Sequence, residues 1–220
     1  MSAHTSGAVR SVVTIDGPAA SGKSTVARLV ADRVGVPFVS SGLLYRAATF
    51  VALEARCDTA TSASILRELN ARDVLLVPDV HGNRLHIDGG DATAELHTDE
   101  VDEAVSLVAG HLEVRSWVNA RLREIDEPFV VEGRDMGTVV FPNAEHKFYL
   151  TAPAAVRARR RLGERSADLE SVTTALQRRD EMDAGRLMRA PDALVIDTGG
   201  LRLDQVVEQV LGRLPGGDGR

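Results

Sequence analysis

The sequence predicts an α/β fold: a five-stranded parallel sheet with helices on both faces, carrying a small antiparallel insertion and a short helical lid. A glycine-rich loop pattern lies between a strand and a helix near the amino terminus. Five short β-branched or aromatic segments alternate with helical ones, which is typical of a parallel sheet covered on both faces. Three further extended runs, separated by turn residues, interrupt this alternation and predict the insertion.

Size and composition limit the classes of function. The chain has 220 residues, enough for one well-packed core with an insertion. Its net charge of −6 does not favour a nucleic-acid binder. Cys57 is the single cysteine, and the sequence has no signal peptide and no long apolar run. These features predict a cytoplasmic protein without a membrane partner, and the histidines lack the spacing of a metal site.

A phosphate-binding pattern follows the first predicted strand. Residues 17–24 fit G-x-x-x-x-G-K-[ST] at every specified position. Gly17 and Gly22 can adopt backbone angles closed to other residues, so successive N–H groups can turn inward around a phosphate. Lys23 is expected to reach the outer phosphates of a nucleotide, and the Ser24 hydroxyl to ligate Mg²⁺. The predicted phosphate contacts are Gly17, Pro18, Ala19, Ala20, Ser21, Gly22, Lys23, Ser24 and Thr25.

The first two predicted sheet strands are residues 11–16 and a short segment near residues 38–40, with a helix between them. A serine and a glycine, Ser41 and Gly42, then open a helix that runs to residue 55. Backbone donors at its start and Arg46, about one turn further on, could together hold an anion. An ordinary helix cap followed by a surface arginine explains the same residues equally well.

The segment from residue 74 to residue 96 predicts the antiparallel meander. Its extended runs are residues 74–77, 84–87 and 91–94. Two helices follow, at about residues 98–109 and 114–125. The other three sheet strands are predicted at residues 129–132, 146–150 and 193–197. Since ligands of such sheets bind beyond the carboxyl ends of the strands, we expect the functional site at that edge.

Chemistry-bearing residues follow the third predicted sheet strand. Gly133 would allow a close backbone approach, Arg134 could meet a phosphate, and Asp135 could accept hydrogen bonds from a base, a sugar or an arginine. An arginine–aspartate pair that merely caps the next turn is the alternative. The position at the ligand-binding edge favours a functional role.

Two charged helical segments come later in the chain. Arg157, Arg160 and Arg161 share one helix face, and a mobile helix of this kind could carry guanidinium groups over transferring phosphates. Arg179, which shares a face with Asp183 and Arg186, belongs to the second segment. A solvated face and surface salt bridges are the corresponding alternatives, and the spacing alone favours salt bridges in the second segment.

Several linked motifs carry a resemblance to a known family. They are Ile15-Asp16-Gly17-Pro18, Ser41-Gly42-x-x-Tyr45-Arg46, the nine residues 133–141 (GRDMGTVVF), and Arg179-Asp180 with Asp183 and Arg186. From about residue 11 to the last helix, the chain resembles the bacterial cytidylate kinases, which have the P-loop kinase fold. The resemblance implies an enzyme that transfers the γ-phosphoryl group of ATP to CMP or dCMP with Mg²⁺, giving CDP or dCDP and ADP.

The resemblance also implies roles for individual residues. The CMP contacts would be Ser41, Arg46, Ser106, Arg115, Arg134, Asp135, Arg179, Asp183 and Arg186. Those expected to read the cytosine are Ser106, Arg115, Asp135 and Arg186. Those expected to clamp the phosphate are Arg46, Arg134 and Arg179, while Asp183 would face the sugar. The expected catalytic residues are Lys23, Arg134, Arg157 and Arg161, and Arg157 would also contact the ATP phosphates.

The family pattern suggests a division of the chain. The core would be residues 11–46, 110–156 and 172–213, the monophosphate-binding insertion residues 47–109, the lid residues 157–171, and the disordered tails residues 1–10 and 214–220. The expected partners are small nucleotides, and the expected state is a monomer. Two positions depart from the pattern: Ser40 stands where the family commonly has aspartate, and Glu132 where aspartate is frequent.

Two rival functions share the phosphate-binding loop. A guanine-specific switch protein would carry an Asn/Thr-Lys-x-Asp motif, but Lys147, the only lysine outside the loop, has His146 before it and Tyr149 two places after it. A kinase for another small acceptor, such as a different nucleoside monophosphate, differs from a cytidylate kinase only in its acceptor-site residues.

Overall fold

The computed structural model describes residues 8–79, 82–162 and 168–215. Residues 163–167 of the predicted lid, residues 1–7 and residues 216–220 of the predicted tails lie outside the described part of the chain. No helix among the described residues is both long and apolar enough to cross a bilayer.

A five-stranded parallel sheet forms the centre of the molecule, as predicted. Its strands are β1 (Val13–Asp16), β2 (Phe38–Ser40), β6 (Val130–Gly133), β7 (His146–Thr151) and β8 (Leu194–Asp197). The spatial order is β2-β6-β1-β7-β8, and every neighbouring pair is parallel. The ends of β1, β2 and β6 are therefore neighbours at one edge, where the glycine loop, Ser41 and Arg134 follow directly.

Helices cover both faces of the sheet. They are α1 (Lys23–Val34), α2 (Ser41–Glu54), α3 (Ser62–Asn70), α4 (Asp99–Val108), α5 (Leu112–Arg123), α6 (Ala154–Leu162), α7 (Leu169–Asp183) and α8 (Leu203–Leu211). Apolar residues of α1 and α8, such as Val30 and Val210, are buried with Ile15 of β1. Those of α2 and α5, such as Leu44 and Val118, belong to a second core cluster. This burial of apolar area on each face stabilises the sheet that presents the site.

The insertion contains a separate antiparallel sheet with β3 (Val74–Pro78), β4 (Asn83–Ile87) and β5 (Gly90–Asp91) in that order. The third strand is shorter than the predicted residues 91–94. The Oγ1 of Thr93 accepts from the backbone N–H of Leu85 at 2.8 Å and donates to Asp91 at 2.6 Å. A hydrogen bond to the side chain of Thr93 thus replaces a backbone hydrogen bond between the strands, and the chain turns away from β4.

The insertion packs as part of the core. Helix α2 continues through the predicted boundary between residues 46 and 47. Its Val51 lies in one apolar cluster with Leu85 of β4 and Val131 of β6. A long shared core of this kind holds the start of α2, including Arg46, in a fixed position relative to β6.

Two helical features differ from the sequence prediction. Helix α3 was not predicted, and it buries only Ile65 and Leu69. Helix α7 ends at Asp183, so Arg186 lies in the turn after the helix rather than within it. The N–H of Arg186 donates to the carbonyl of Asp183 at 2.7 Å, which keeps the two side chains adjacent.

Candidate active site

The glycine loop lies between the end of β1 and the start of α1. Gly17 has φ 151°, and a Cβ there would lie 2.1 Å from the carbonyl oxygen of Leu150 on β7, so only glycine fits. Gly22, with φ 90°, precedes α1 and offers no side-chain cap. The N–H groups of the first helical turn and the positive end of the helix dipole are therefore directed toward any anion bound there.

Lys23 is the buried cation of this loop. Its Nζ donates to the carbonyl oxygen of Pro18 at 3.0 Å and lies 3.9 Å from the carboxylate of Glu132. Burial, followed by repulsion from Arg134, lowers the pKa of Lys23 to about 7. The free protein thus holds this lysine partly neutral near neutral pH.

Phosphate binding should therefore take up a proton. An anion beside Lys23 favours its charged form and raises its pKa, so uptake should approach one proton at about pH 8 and decline toward about pH 6. Calorimetric titration of ADP in two buffers with different ionisation enthalpies measures this uptake. Equal binding enthalpies in both buffers at the higher pH would contradict the assignment.

Side chains from three other elements donate to the carbonyl groups of the loop. Arg134 donates to Gly17 at 3.1 Å and Arg157 to Ala19 at 3.1 Å. The carbonyl of Ser21 accepts from Arg160 at 3.3 Å and from Thr198 at 3.2 Å. With its carbonyls held in this way, the loop is fixed before any ligand binds, which reduces the entropy cost of binding.

Arg157 is held by groups of the protein itself. It is 6% exposed and does not line the cavity described below. Its guanidinium donates to Ala152 and Ala19 and forms a two-pronged ion pair with Asp180 at 3.1 and 2.6 Å. In this arrangement Arg157 ties α6 and α7 to the loop, and its expected contact with the ATP phosphates stays a prediction.

A cavity of about 490 Å³ opens at the carboxyl ends of β1, β2 and β6. All nine predicted CMP contacts line it, namely Ser41, Arg46, Ser106, Arg115, Arg134, Asp135, Arg179, Asp183 and Arg186. The phosphate-loop residues that line it are Ala19, Ala20, Lys23 and Ser24. Arg161 lines it from the α6 side. The other predicted loop contacts, including Thr25, do not line this cavity.

One end of the cavity presents paired charges. Asp135 is 2% exposed and forms an ion pair with Arg115. Burial raises the pKa of Asp135, while Arg115 opposes that rise. Asp183 is also buried and pairs with both Arg134, at 2.8 Å, and Arg186. These carboxylates fix the guanidinium planes, so the donors and acceptors facing the cavity have set directions.

Arg46 and Arg179 also line the cavity and lie near further guanidinium groups. Burial, then the nearby Arg134, lowers the pKa of Arg179 to about 10. The Nε of Arg179 is buried and has no hydrogen-bond partner among the described residues. Burial and Arg161 likewise lower the pKa of Arg46. Several guanidinium groups in one desolvated space create a strong local field for an anion such as a phosphate.

Two features of the cavity were not assigned from sequence. The hydroxyl of Tyr45 is buried and finds no hydrogen-bond partner in the described part of the chain, and burial raises the pKa of Tyr45 to about 12. Ser40 and Glu132, the two departures from the family pattern, touch each other: Ser40 Oγ donates to Glu132 at 2.7 Å. The resemblance motif contained Tyr45, but its spacing gave no sign that the hydroxyl would be unpartnered.

Asp16 explains part of the long motif at residues 133–141. Its carboxylate accepts from the N–H groups of Met136 at 2.9 Å and Gly137 at 2.8 Å. Burial raises the pKa of Asp16 to about 6, and these hydrogen bonds limit the rise. Gly137 is required at this point because a Cβ would lie 2.9 Å from Thr14 Oγ1. The hydrogen bonds that Asp16 accepts fix the turn that follows Asp135.

Comparison with known proteins identifies the family. The sequence model of the family described as cytidylate kinase matches residues 13–215. The chain belongs to the cytidylate kinase family. It is 56% identical over 206 residues to the cytidylate kinase of Thermus thermophilus, covering 94% of this chain and 99% of that protein. It is 51% identical over 203 residues to the cytidylate kinase of Deinococcus radiodurans, covering 92% and 98% respectively.

Family membership confirms the resemblance and the class of reaction: the chain is a phosphotransferase that phosphorylates CMP and dCMP. It favours this reaction over the switch protein and over a kinase for another acceptor. Among solved structures, an uncharacterised protein from Eubacterium ventriosum superimposes with a TM-score of 0.51 at 12% identity, covering 92% of this chain and 96% of that one. That likeness concerns the fold alone.

Proposed function

We propose that CMP or dCMP binds in the cavity at the ends of β1, β2 and β6 and receives the γ-phosphoryl group of ATP held on the glycine loop. One observation supports this most strongly: the predicted acceptor contacts all line the same cavity as Lys23 and Ser24. Donor and acceptor would then approach each other within one enclosed space. Such placement supplies much of the rate enhancement in phosphoryl transfer.

The charge distribution sets the orientation of CMP. The cytosine lies at the Asp135 end, where Arg115, Ser106 and Arg186 offer fixed donors and acceptors, and Asp183 faces the sugar. The phosphate lies against Arg46, Arg134 and Arg179. A neutral base with several hydrogen-bonding groups suits the surroundings of Asp135, whereas a dianion suits the part of the cavity where Arg46, Arg134 and Arg179 are concentrated.

Oxygen donors for Mg²⁺ are present beside the glycine loop. The Ser24 hydroxyl and the Glu132 carboxylate line the cavity next to Lys23, and hydroxyl and carboxylate oxygens suit this hard cation. Asp16 is the poorer candidate because backbone N–H groups already occupy its oxygens. We infer that Ser24 and Glu132 hold the ion, directly or through water. When bound, Mg²⁺ neutralises charge on the phosphates.

The side chains of this chain supply position and positive field rather than covalent chemistry. Lys23 and Arg161 lie on the donor side of the transferring group, and Arg134 and Arg46 on the acceptor side. Arg134 can serve both sides because it also donates to the loop carbonyl of Gly17. Exclusion of water from the cavity once both nucleotides are bound would prevent hydrolysis of ATP. We further propose that the enzyme acts as a cytoplasmic monomer.

Replacing Arg186 by alanine should raise the KM for CMP about tenfold or more, because a charge-assisted contact to the cytosine is lost. The protein should stay folded, since Asp183 retains its ion pair with Arg134. Initial rates at varied CMP concentration measure the effect, and the KM for ATP should change much less. Arg202→Ala, which removes an exposed arginine paired with Asp204, is the matched control. An unchanged KM for CMP would make Arg186 a structural residue only.

A further inference from the structure

Asp102, on α4, lies between two arginines from different parts of the chain. Its Oδ1 accepts a hydrogen bond from Arg46 of α2, and its Oδ2 lies 3.8 Å from Nη2 of Arg161 on α6. The side chain of Asp102 is only 15% exposed, and those of Arg46 and Arg161 are 16% and 31% exposed. Oδ1 thus faces the guanidinium of Arg46 and Oδ2 that of Arg161, and the carboxylate is largely desolvated.

A carboxylate between Arg46 and Arg161 reduces the repulsion between their charges. Arg161 contributes to the lowering of the pKa of Arg46, so their charges are close enough to repel. Arg46 also donates to the carbonyl of Leu96 at 2.8 Å, and together with Asp102 this bond fixes the plane of its guanidinium. Asp102 offsets the repulsion and holds both cations at the edge of the same cavity.

The neighbours of Asp102 on α4 do not share this geometry. Asp99 and Glu100, in the first turn, are exposed, as expected for acidic residues that favour a helix N-terminus. Asp102 lies one turn closer to the cavity, on the side facing Arg46. The sequence pattern could not distinguish it from the acidic residues beside it.

We propose that Asp102 is a positioning residue that couples the binding of the two nucleotides. This rests on the proposed function, in which Arg46 contacts the acceptor phosphate and Arg161 the donor phosphates. When one nucleotide fixes its arginine, the shared carboxylate holds the other arginine in place, and the second nucleotide then loses less freedom on binding. A carboxylate serving both arginines thereby favours the state with donor and acceptor both bound.

The test is the coupling between the two nucleotides, measured by calorimetric titration of CMP with and without a non-hydrolysable ATP analogue and Mg²⁺. The wild-type protein should bind CMP at least about fivefold more tightly when the analogue is present, the lower end of typical couplings. Asp102→Asn and Asp102→Ser should bring that ratio close to one. Asp99→Asn, the same change on the same helix at an exposed position, should leave it unaltered. Thermal unfolding establishes that each variant is folded. The affinity ratio of either Asp102 variant that folds is sufficient to test the proposal.

Asp102→Glu provides a second readout that a merely structural role would not give. It keeps the charge and should restore part of the coupling, whereas the asparagine restores none. A wild-type ratio of one, or the full wild-type ratio in a folded Asp102→Asn protein, would overturn the bridging role and leave the proposed function intact if CMP still binds. A wild-type protein that binds no CMP at all would overturn both.

Discussion

Replacing Lys23 by alanine is expected to lower kcat about 100-fold or more, the scale found when one preorganised electrostatic donor is removed from an active site. The structure gives the reason: Lys23 is the buried cation of the glycine loop, next to Glu132 and at the wall of the cavity. The measurement is the rate of ADP formation at saturating ATP and CMP.

The chain offers a matched control for this variant. Lys147, the only other lysine, donates to Pro142 and Asp192 and does not line the cavity. Lys147→Ala should leave kcat within a small factor of the wild-type value. Near-normal turnover in a folded Lys23→Ala protein would exclude the proposed role of Lys23 in charge stabilisation.

Gly17→Ala is expected to lower the free energy of unfolding by about 3 kcal/mol or more, because it combines a strained backbone with a collision inside the sheet. Its Cβ would lie 2.1 Å from the carbonyl oxygen of Leu150, a backbone atom of β7 that cannot move without disturbing the strand pair. The loop and the start of α1 would be displaced together, so activity should also fall. Urea unfolding measures the stability change.

Gly35→Ala separates the effect of backbone strain on stability from the effect of a steric collision. Gly35, at the other end of α1, also has a positive φ of 71°, but a Cβ there would meet no atom of residues 8–79, 82–162 and 168–215 within 4 Å. Gly35→Ala should lower the free energy of unfolding by only about 1 kcal/mol. Equal losses in the two variants would show that the close approach of β7 to Gly17 has no special importance.

The sheet and most helices could be predicted from sequence because their signals are local. The β-branched strands, the glycine loop and the turns of the meander each have a residue pattern that backbone sterics explains. Helix α3 was not predicted because it is short and has few large apolar residues: Ile65 and Leu69 are buried, and Leu66 packs partly buried against the core. The predicted end of the third meander strand was wrong because Leu85 donates to the side chain of Thr93 rather than to its backbone. A strand pattern does not reveal such a bond.

The candidate site also has a part that could be predicted from the sequence and a part that could not. The family resemblance predicted the acceptor contacts, and the fold brings these residues to one cavity. Arg157 and Arg161 have equivalent positions in the helical pattern, yet one is buried against Asp180 and the other lines the cavity. Which arginine faces the ligand depends on how α6 packs against α7, and spacing contains no information about that packing. The same limit applies to Asp102 and to the hydroxyl of Tyr45.

The most direct test of the account is a comparison of acceptors for the wild-type protein. ADP formation with ATP and Mg²⁺ is measured for CMP, dCMP, UMP, AMP and GMP, with a reaction lacking any acceptor as the blank. The cavity geometry predicts strong turnover with CMP and dCMP, and little with the purine nucleotides or the blank. Equal ADP formation without an acceptor, or preference for AMP or GMP, would leave the phosphate-binding loop in place but contradict the assignment of Ser106, Arg115, Asp135 and Arg186 to the cytosine.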